Sequence, residues 1–204
     1  GAASWERVSD QGCDGLTGDP NPDRRVYCLQ AERLLVSYDS GETWQELALR
    51  GVKGHLGVLA VSPADPAAWY LGANGVFRST NEGASWTALQ NGLHVSRLAL
   101  WVDPFDSATL YALGQTGMFR SQDGGRTWTS LDCPNCWGGP GFDPATGELL
   151  FLSTDTRTID RDAILFSSPN RGNTWHWNPD RLPAAYEGEG AGEFGLGSVY
   201  HGRR

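Results

Sequence analysis

The chain has 204 residues, with 16 Lys and Arg against 24 Asp and Glu, and carries a formal net charge of −8. This balance argues against general nucleic-acid binding and against binding to an anionic membrane, because both require a basic field. No stretch approaches the roughly 20 apolar residues of a membrane span, and the chain starts without the basic and apolar regions of a signal peptide. We expect one domain over residues 1–204.

The composition favours β structure. The sequence contains 27 Gly and nine Trp against one Met, and this balance suits short strands, tight turns and aromatic anchors. Patterns with the period of a helix are missing. We therefore predict an all-β fold.

The first predicted elements are a strand a, an Asp-Pro turn, a strand b, a strand c, an eight-residue motif and a strand d. Their recognisable segments, in chain order, are Asp19-Pro20, Val26-Tyr27, Leu34–Val36 and Ser37–Trp44. The same order returns along the chain. Later Asp-Pro turns lie at residues 65–66, 103–104 and 143–144, later b strands around Tyr70, Tyr111, Leu150 and Tyr200, and later c strands around Val76, Met118 and Leu165.

The eight-residue motif, Ser-x-Asp/Asn-x-Gly-x-Thr/Ser-Trp, occurs four times. Its serines are 42, 42 and 47 residues apart, which is the length of one four-stranded propeller blade. We expect its Asp or Asn to accept backbone hydrogen bonds, its Gly to supply a positive φ, its Thr or Ser to add a hydroxyl, and its Trp to pack against the turn. The residues in these structural roles are Ser37, Asp39, Gly41, Thr43 and Trp44; Ser79, Asn81, Gly83, Ser85 and Trp86; Ser121, Asp123, Gly125, Thr127 and Trp128; and Ser168, Asn170, Gly172, Thr174 and Trp175.

The motif resembles the Asp-box (BNR) repeat of sialidases, sortilin-type receptors, xyloglucan-degrading hydrolases and photosystem II assembly factors. This resemblance implies a β-propeller of four-stranded antiparallel blades, in which the Asp box joins the outer two strands away from the central funnel. It does not single out one function.

The ends of the chain suggest a fifth blade. Ala3-Ser4-Trp5 is similar to the end of an Asp box, which would make Trp5 a fifth anchor, and Ser198–Tyr200 is similar to a strand b. We predict a five-bladed ring closed by the terminal strands, because closure removes exposed strand edges. Only eight residues would separate Tyr200 from Trp5 across the joined ends, so strand c of that blade is truncated, missing or supplied from elsewhere. The alternative is a fragment of a larger propeller.

The four cysteines form two candidate pairs. Cys13 and Cys28 lie symmetrically about Asp19-Pro20, so we expect a disulfide across that a/b hairpin, and we expect a second one between Cys133 and Cys136. Redox catalysis by the Cys133–Cys136 pair would need a thioredoxin-like βαβ pattern, and zinc binding would need a second ligand pair. Disulfides indicate an exported protein, extracellular or periplasmic.

Candidate ligand residues lie in the d-to-a and b-to-c connections, which share the usual ligand face of propellers. The fourth blade carries an insertion there, since Phe151 to Ser168 spans 17 positions against 10 from Tyr111 to Ser121. The alternatives are a solvated loop and a loop that contacts a ligand. The candidate residues are His55, His94, Trp137, Asp155, Arg157, Asp160, Arg161, Tyr186 and Glu189.

Catalysis is disfavoured by the sequence. Glycoside hydrolysis needs two carboxylates about 5–9.5 Å apart, and the carboxylates available near strand a lie in no catalytic motif: Asp10, Asp14, Glu187, Glu189 and Glu193. An Arg-Ile-Pro motif, expected of a sialidase, is absent, and the histidines show no metal-ligand spacing. We predict a binding or assembly module without catalytic residues, cofactor or metal, whose partner is a protein. The alternative is a propeller that binds or hydrolyses a polysaccharide.

Overall fold

The computed structural model describes residues 10, 12–20, 25–89, 93, 99–114, 117–131, 139–154 and 163–177. These residues form sixteen strands in four four-stranded antiparallel sheets, and strands that are consecutive in sequence are neighbours in each sheet. We call the sheets blades 1 to 4 and their strands a to d. The fifth predicted segment of strand b, at Val199-Tyr200, lies outside the described residues.

The strand bounds follow the predicted order in every blade. Blade 1 comprises β1 (Gly15–Gly18), β2 (Val26–Gln30), β3 (Arg33–Ser37) and β4 (Gln45–Leu47); blade 2 comprises β5 (Val58–Val61), β6 (Trp69–Ala73), β7 (Gly75–Ser79) and β8 (Thr87–Leu89). Blade 3 comprises β9 (Ala99–Asp103), β10 (Asp106–Gly114), β11 (Gly117–Ser121) and β12 (Thr129–Leu131); blade 4 comprises β13 (Gly141–Phe142), β14 (Leu149–Thr154), β15 (Ala163–Ser168) and β16 (His176–Trp177).

The chain divides into two compact units. The first contains residues 1–114 and 121–128, and the second contains residues 115–120 and 129–204. Blades 1 and 2 thus belong to the first unit, together with the Asp box of blade 3, whereas blade 4 belongs to the second.

The core of the first unit lies between blades 1 and 2. Alternate residues of a strand point to the same side of a sheet, so Tyr27 and Leu29 of β2 face Trp69 and Leu71 of β6 in one buried apolar cluster. The rings of Tyr27 and Trp69 meet edge to face, with their centroids 4.9 Å apart. This packing fixes blade 1 against blade 2.

The Asp-Pro turns connect strand a to strand b in all four blades, as predicted. Asp103 accepts a hydrogen bond from the backbone N–H of Phe105 at 2.8 Å, and Asp143 accepts one from that of Ala145 at 2.8 Å. A carboxylate that receives the N–H two residues on closes an Asx turn. These turns therefore depend on local hydrogen bonds.

The Cys13–Cys28 disulfide is present, but the predicted register is wrong. The strands pair Leu16 with Cys28, so Cys13 lies before β1 and reaches Cys28 diagonally, with 5.5 Å between the two Cα atoms. The symmetric prediction assumed a tight turn at Asp19-Pro20, whereas the connection between the two strands runs from residue 19 to residue 25.

Within the described part of the chain, no helix has the length and apolar character needed to cross a membrane.

Candidate functional site

The first Asp box closes through hydrogen bonds among its own residues. The Ser37 hydroxyl accepts the N–H of Gly41 at 2.7 Å and donates to Asp39 Oδ1 at 2.8 Å. Thr43 donates its N–H to Asp39 Oδ1 at 2.8 Å and its hydroxyl to Asp39 Oδ2. The Trp44 indole donates to the Gly41 carbonyl at 3.0 Å. Both carboxylate oxygens of the box are thus engaged inside the turn.

The other boxes repeat the bond from Gly N–H to the Ser hydroxyl, at 2.7 to 2.9 Å. The indole bond recurs from Trp128 to the Gly125 carbonyl at 3.1 Å, whereas the buried indole nitrogens of Trp86 and Trp175 have no partner among the described residues. In those two boxes the indole N–H adds no such bond, and the bond from Gly N–H to the Ser hydroxyl still closes the turn.

Two adjacent residues of every box have a positive φ. The motif glycines do so as expected, with φ between 81° and 99°. The residue before each glycine does so as well, at Ser40 (62°), Glu82 (54°), Gly124 (70°) and Arg171 (58°). L-residues pay a strain cost in this region. Gly124, the glycine at that position in the third box, was the sequence signal for this feature, and sequence reasoning missed it.

Hydrogen bonding keeps the box carboxylates ionised. The Thr43 hydroxyl, the Thr43 N–H and Ser37 lower the pKa of Asp39 to about 2. Burial raises the pKa of Asp123, but the bonds from Thr127 and Ser121 outweigh it and lower that pKa to about 2. Hydrogen bonds to a charged form favour that form. These carboxylates therefore serve the turn in their ionised state.

A charged cluster that sequence reasoning missed joins the box end of blade 1 to blade 2. Arg25 forms an ion pair with Asp19 at 2.8 Å and another with Glu82, from the second box. The Tyr27 hydroxyl donates to Asp19 Oδ2 at 2.8 Å. Burial, followed by this bond to Asp19, raises the pKa of Tyr27 well above its ordinary value. The sequence carried no signal for the contact, because Arg25 and Glu82 are 57 residues apart.

At the opposite end of blade 1, three segments meet at Ala31, in the b-to-c hairpin. The Asp14 carboxylate accepts the Ala31 N–H at 2.7 Å, and the Ala31 carbonyl accepts the N–H of Leu56 at 2.6 Å. Ala31 itself has a φ of 44°. The segment before strand a, the b-to-c hairpin and the d-to-a connection are therefore tied together, and Asp14 takes part in that tie.

His55 is exposed beside this junction. Its neighbour Gly54 has a φ of +100°, and a Cβ built there would lie 2.5 Å from the Asn74 side-chain nitrogen. The d-to-a connection thus packs closely on the b-to-c hairpin of blade 2. We call this end of the blades, which carries the d-to-a and b-to-c connections, the loop end.

The remaining predicted site residues lie outside the described residues. They are His94, Trp137, Asp155, Arg157, Asp160, Arg161, Tyr186 and Glu189, together with Trp5, Cys133 and Cys136. Among the residues that are described, no group of three or more His, Cys, Asp or Glu is arranged to hold a metal ion.

No family model matches the chain, and no curated protein matches it. Solved structures do. A GH74 enzyme from Niastella koreensis gives a TM-score of 0.62 over 81% of this chain at 22% identity, and the GH74 xyloglucanase from Xanthomonas campestris gives 0.59 over 85% at 21% identity. YCF48 bound to a D1 peptide gives 0.52 over 83% at 13% identity.

The fold is that of a β-propeller. At these identities the likeness concerns the fold alone. The propeller chain spans 30% and 31% of the two GH74 chains and 59% of the YCF48 chain.

Proposed function

We propose that this propeller is a non-catalytic binding or assembly module whose loop end contacts a protein partner. The observation that carries the proposal is the structural likeness to YCF48, a propeller solved with a bound peptide. The proposal assigns the Asp boxes a structural role, in keeping with the hydrogen bonds that each box makes to itself. The loop end is then the surface left for a partner.

The loop end of the described blades supports binding rather than hydrolysis. Glycoside hydrolysis requires two carboxylates aimed at one bond, about 5–9.5 Å apart. Asp14, a carboxylate beside the b-to-c hairpin of blade 1, instead accepts the backbone N–H of Ala31. We propose that partner contacts come from the exposed His55 and from the other residues of these connections, namely His94, Trp137, Asp155, Arg157, Asp160, Arg161, Tyr186 and Glu189.

We also propose that residues 1–204 form one ring of five blades, with the fifth built from both ends of the chain. Leu16 on strand a of blade 1 is 66% exposed, and a fifth blade packed beside blade 1 would cover this apolar side chain. Light scattering of the full chain tests this proposal. A monomer protected from proteolysis at both ends supports it, whereas a dimer would mean that a second copy completes the ring.

Export is the localisation we propose. The Cys13–Cys28 disulfide supports it, since structural disulfides persist in oxidising compartments. Intact-mass analysis of protein from its native source tests it: four free thiols would contradict export.

A polysaccharide ligand is the second candidate. It is favoured by the two GH74 structures, which give the higher TM-scores of 0.62 and 0.59. Turnover of xyloglucan or of a chromogenic glycoside, or saturable glycan binding, would establish this candidate.

Affinity purification of the full chain, followed by mass spectrometry, tests the protein-partner proposal. We expect a stoichiometric protein partner, lost when His55→Ala is combined with serine at Asp155, Arg157, Asp160 and Arg161. Glu42→Ser is the matched control, because Glu42 is exposed on an Asp box at the other end of the blade. Equal capture by both variants, or loss only with Glu42→Ser, would contradict a role for the loop end.

A further inference from the structure

A groove on the first unit lies between strands c and d of blade 2 and the Asp box of blade 3. Its volume is about 200 Å³, smaller than the roughly 300–1,000 Å³ typical of sites for drug-sized ligands. We call it the blade 2–3 groove, and it is lined by Arg78, Thr80, Ser85, Thr87, Leu89 and Arg126. Two guanidinium groups and three hydroxyls, with no Asp or Glu among the described lining residues, make a concentration of hydrogen-bond donors.

Arg78 is held in place by an aromatic ring. Its guanidinium carbon lies 5.7 Å from the centroid of Tyr70, within the range of a cation–π contact. The Tyr70 hydroxyl donates to the Ser107 carbonyl at 3.1 Å, which fixes the ring. The buried Nε of Arg78 has no hydrogen-bond partner among the described residues. This cation is therefore positioned before any ligand arrives.

Arg126 brings the second cation to the groove from the box of blade 3. Its Nη1 donates to the backbone carbonyl of Asp123 at 2.9 Å, within the same turn. This bond to the rigid box thus fixes the position of the Arg126 guanidinium group. An anion at the groove would lie between guanidinium groups from two different blades.

Ser85 adds a hydroxyl whose proton is available to an outside acceptor. Asn81 Nδ2 donates to Ser85 Oγ at 3.0 Å, so the hydroxyl oxygen accepts within the box. In the third box the direction of the corresponding hydrogen bond is reversed. There the Thr127 hydroxyl donates to the Asp123 carboxylate at 2.6 Å. The asparagine of the second box consequently turns Ser85 into a donor at the groove.

At the two neighbouring junctions between blades, the following Asp box supplies a hydrogen-bond acceptor to an arginine. Between blades 3 and 4, Arg120, which corresponds to Arg78, donates to the Arg171 carbonyl at 2.7 Å and to Asn173 Oδ1 at 2.9 Å. Between blades 1 and 2, Glu82 of the following box pairs with Arg25. The box of blade 3 has Gly124 where Glu82 stands and Arg126 where Asn173 stands. A side-chain acceptor is thus replaced by a second cation.

We propose that the blade 2–3 groove binds a tetrahedral oxyanion group, phosphate or sulfate, that takes the place of the acceptors Glu82 and Asn173 in the neighbouring junctions. Charge-assisted bonds from two guanidinium groups are the strong interactions of such a site. The groove is separate from the loop end. The test of this anion site is therefore independent of the test of the partner proposed at the loop end.

Thermal unfolding of the full chain in sodium phosphate or sodium sulfate tests the site. Sodium chloride at the same ionic strength is the reference, because phosphate and sulfate also stabilise proteins without specific binding. We expect a saturable rise in Tm with one or both anions, and the comparison of their apparent Kd values identifies the preferred one. Arg126→Asn, which installs the acceptor found at Asn173, should weaken anion binding at least tenfold and raise the Tm without anion.

Two further variants complete the test. Arg126→Lys keeps the charge and should retain most of the binding, and Arg33→Gln, at an exposed Arg paired with Glu46, should bind like the unmodified chain. Isothermal titration with inorganic phosphate and sulfate measures each affinity directly, so a change in folding stability cannot be mistaken for a change in binding. An equal Tm rise in the unmodified chain and Arg126→Asn, with no titration heat for either anion, would overturn the proposal.

Discussion

Blades 1 and 2 share an apolar core with the ion-paired Arg25 beside it, whereas the groove between blades 2 and 3 is lined by two arginine side chains. In the first junction Tyr27 packs on Trp69, and Arg25 pairs with Asp19 and Glu82. In the second, Arg78 lies over Tyr70, and the following box contributes Arg126. The fourth position of the Asp box thus holds the ion-paired Glu82 at the first junction and Gly124 at the second.

This difference shows how a repeat protein acquires a site without changing its fold. The glycine and serine of each box maintain the turn in all four blades. The side chains of the residues just before and just after that glycine take no part in this Gly-to-Ser bond. Changes of side chain at these two positions therefore alter the charge of a junction while the Gly-to-Ser bond is kept.

The largest expected effect is the loss of the core in the first junction. Trp69→Ala removes a fully buried ring and should lower the free energy of unfolding by about 3–5 kcal/mol. Denaturant unfolding measures this loss. Tyr70→Phe is the control at the second junction and should cost only about 1 kcal/mol, through the lost hydrogen bond to Ser107. A loss of only about 1 kcal/mol for Trp69→Ala would contradict the role of this ring in the core of the first junction.

The junctions differ in the side chain that lies against the box glycine. A Cβ at Gly83 would lie 2.9 Å from the Trp69 ring, and one at Gly125 would lie 2.6 Å from Leu89 Cδ1. Both variants pay about 1–2 kcal/mol for the left-handed backbone. The buried ring cannot move aside, whereas the end of Leu89 can, so Gly83→Ala should destabilise the chain more than Gly125→Ala. Urea unfolding of both variants checks the order, and the reverse order would refute this account.

Acid should weaken the boxes that contain Asp and spare those that contain Asn. The pKa values of Asp39 and Asp123 fall from an ordinary 3.8 to about 2 in the folded chain. Their stabilising effect is therefore complete above pH 3.8 and is lost as the pH falls towards 2. The double variant Asp39→Asn and Asp123→Asn, which copies the second and fourth boxes, should show a flatter dependence of Tm on pH over this range. An unchanged pH profile would count against ionised box carboxylates.

The smallest effect expected concerns the residue before the box glycine. Ser40 holds a φ of 62°, and Ser40→Gly should raise the free energy of unfolding by up to about 1 kcal/mol by relieving that strain. The third box already has Gly124 at this position, so Gly124→Ala should have the opposite effect. Thermal unfolding measures both. A destabilised Ser40→Gly would show that backbone flexibility outweighs strain at this position.

The sequence predicted the features that act within a few residues. Ser37, Asp39 and Gly41 bond to one another inside one turn, and the Asp-Pro turns close over two residues, so spacing alone was sufficient. Strand order followed from the position of these turns in each repeat.

Contacts between blades could not be predicted from the sequence pattern. The pair formed by Arg25 and Glu82 and the groove between Arg78 and Arg126 depend on which side chains meet when blades pack. The Cys13–Cys28 pairing was predicted correctly but its register was not, because the length of the a-to-b connection is not encoded by the Asp-Pro dipeptide.

Two double-mutant cycles test the central contrast most directly. One cycle combines Arg25→Gln with Glu82→Gln, and the other combines Arg78→Gln with Arg126→Gln, in buffer free of phosphate and sulfate. We expect a favourable coupling of about 0.5–1 kcal/mol in the first cycle, because Glu82 is 51% exposed and solvent screens the pair. The second cycle should give an unfavourable coupling that becomes favourable once the preferred anion is added. A favourable coupling between Arg78 and Arg126 without anion, or no change on adding it, would contradict the account.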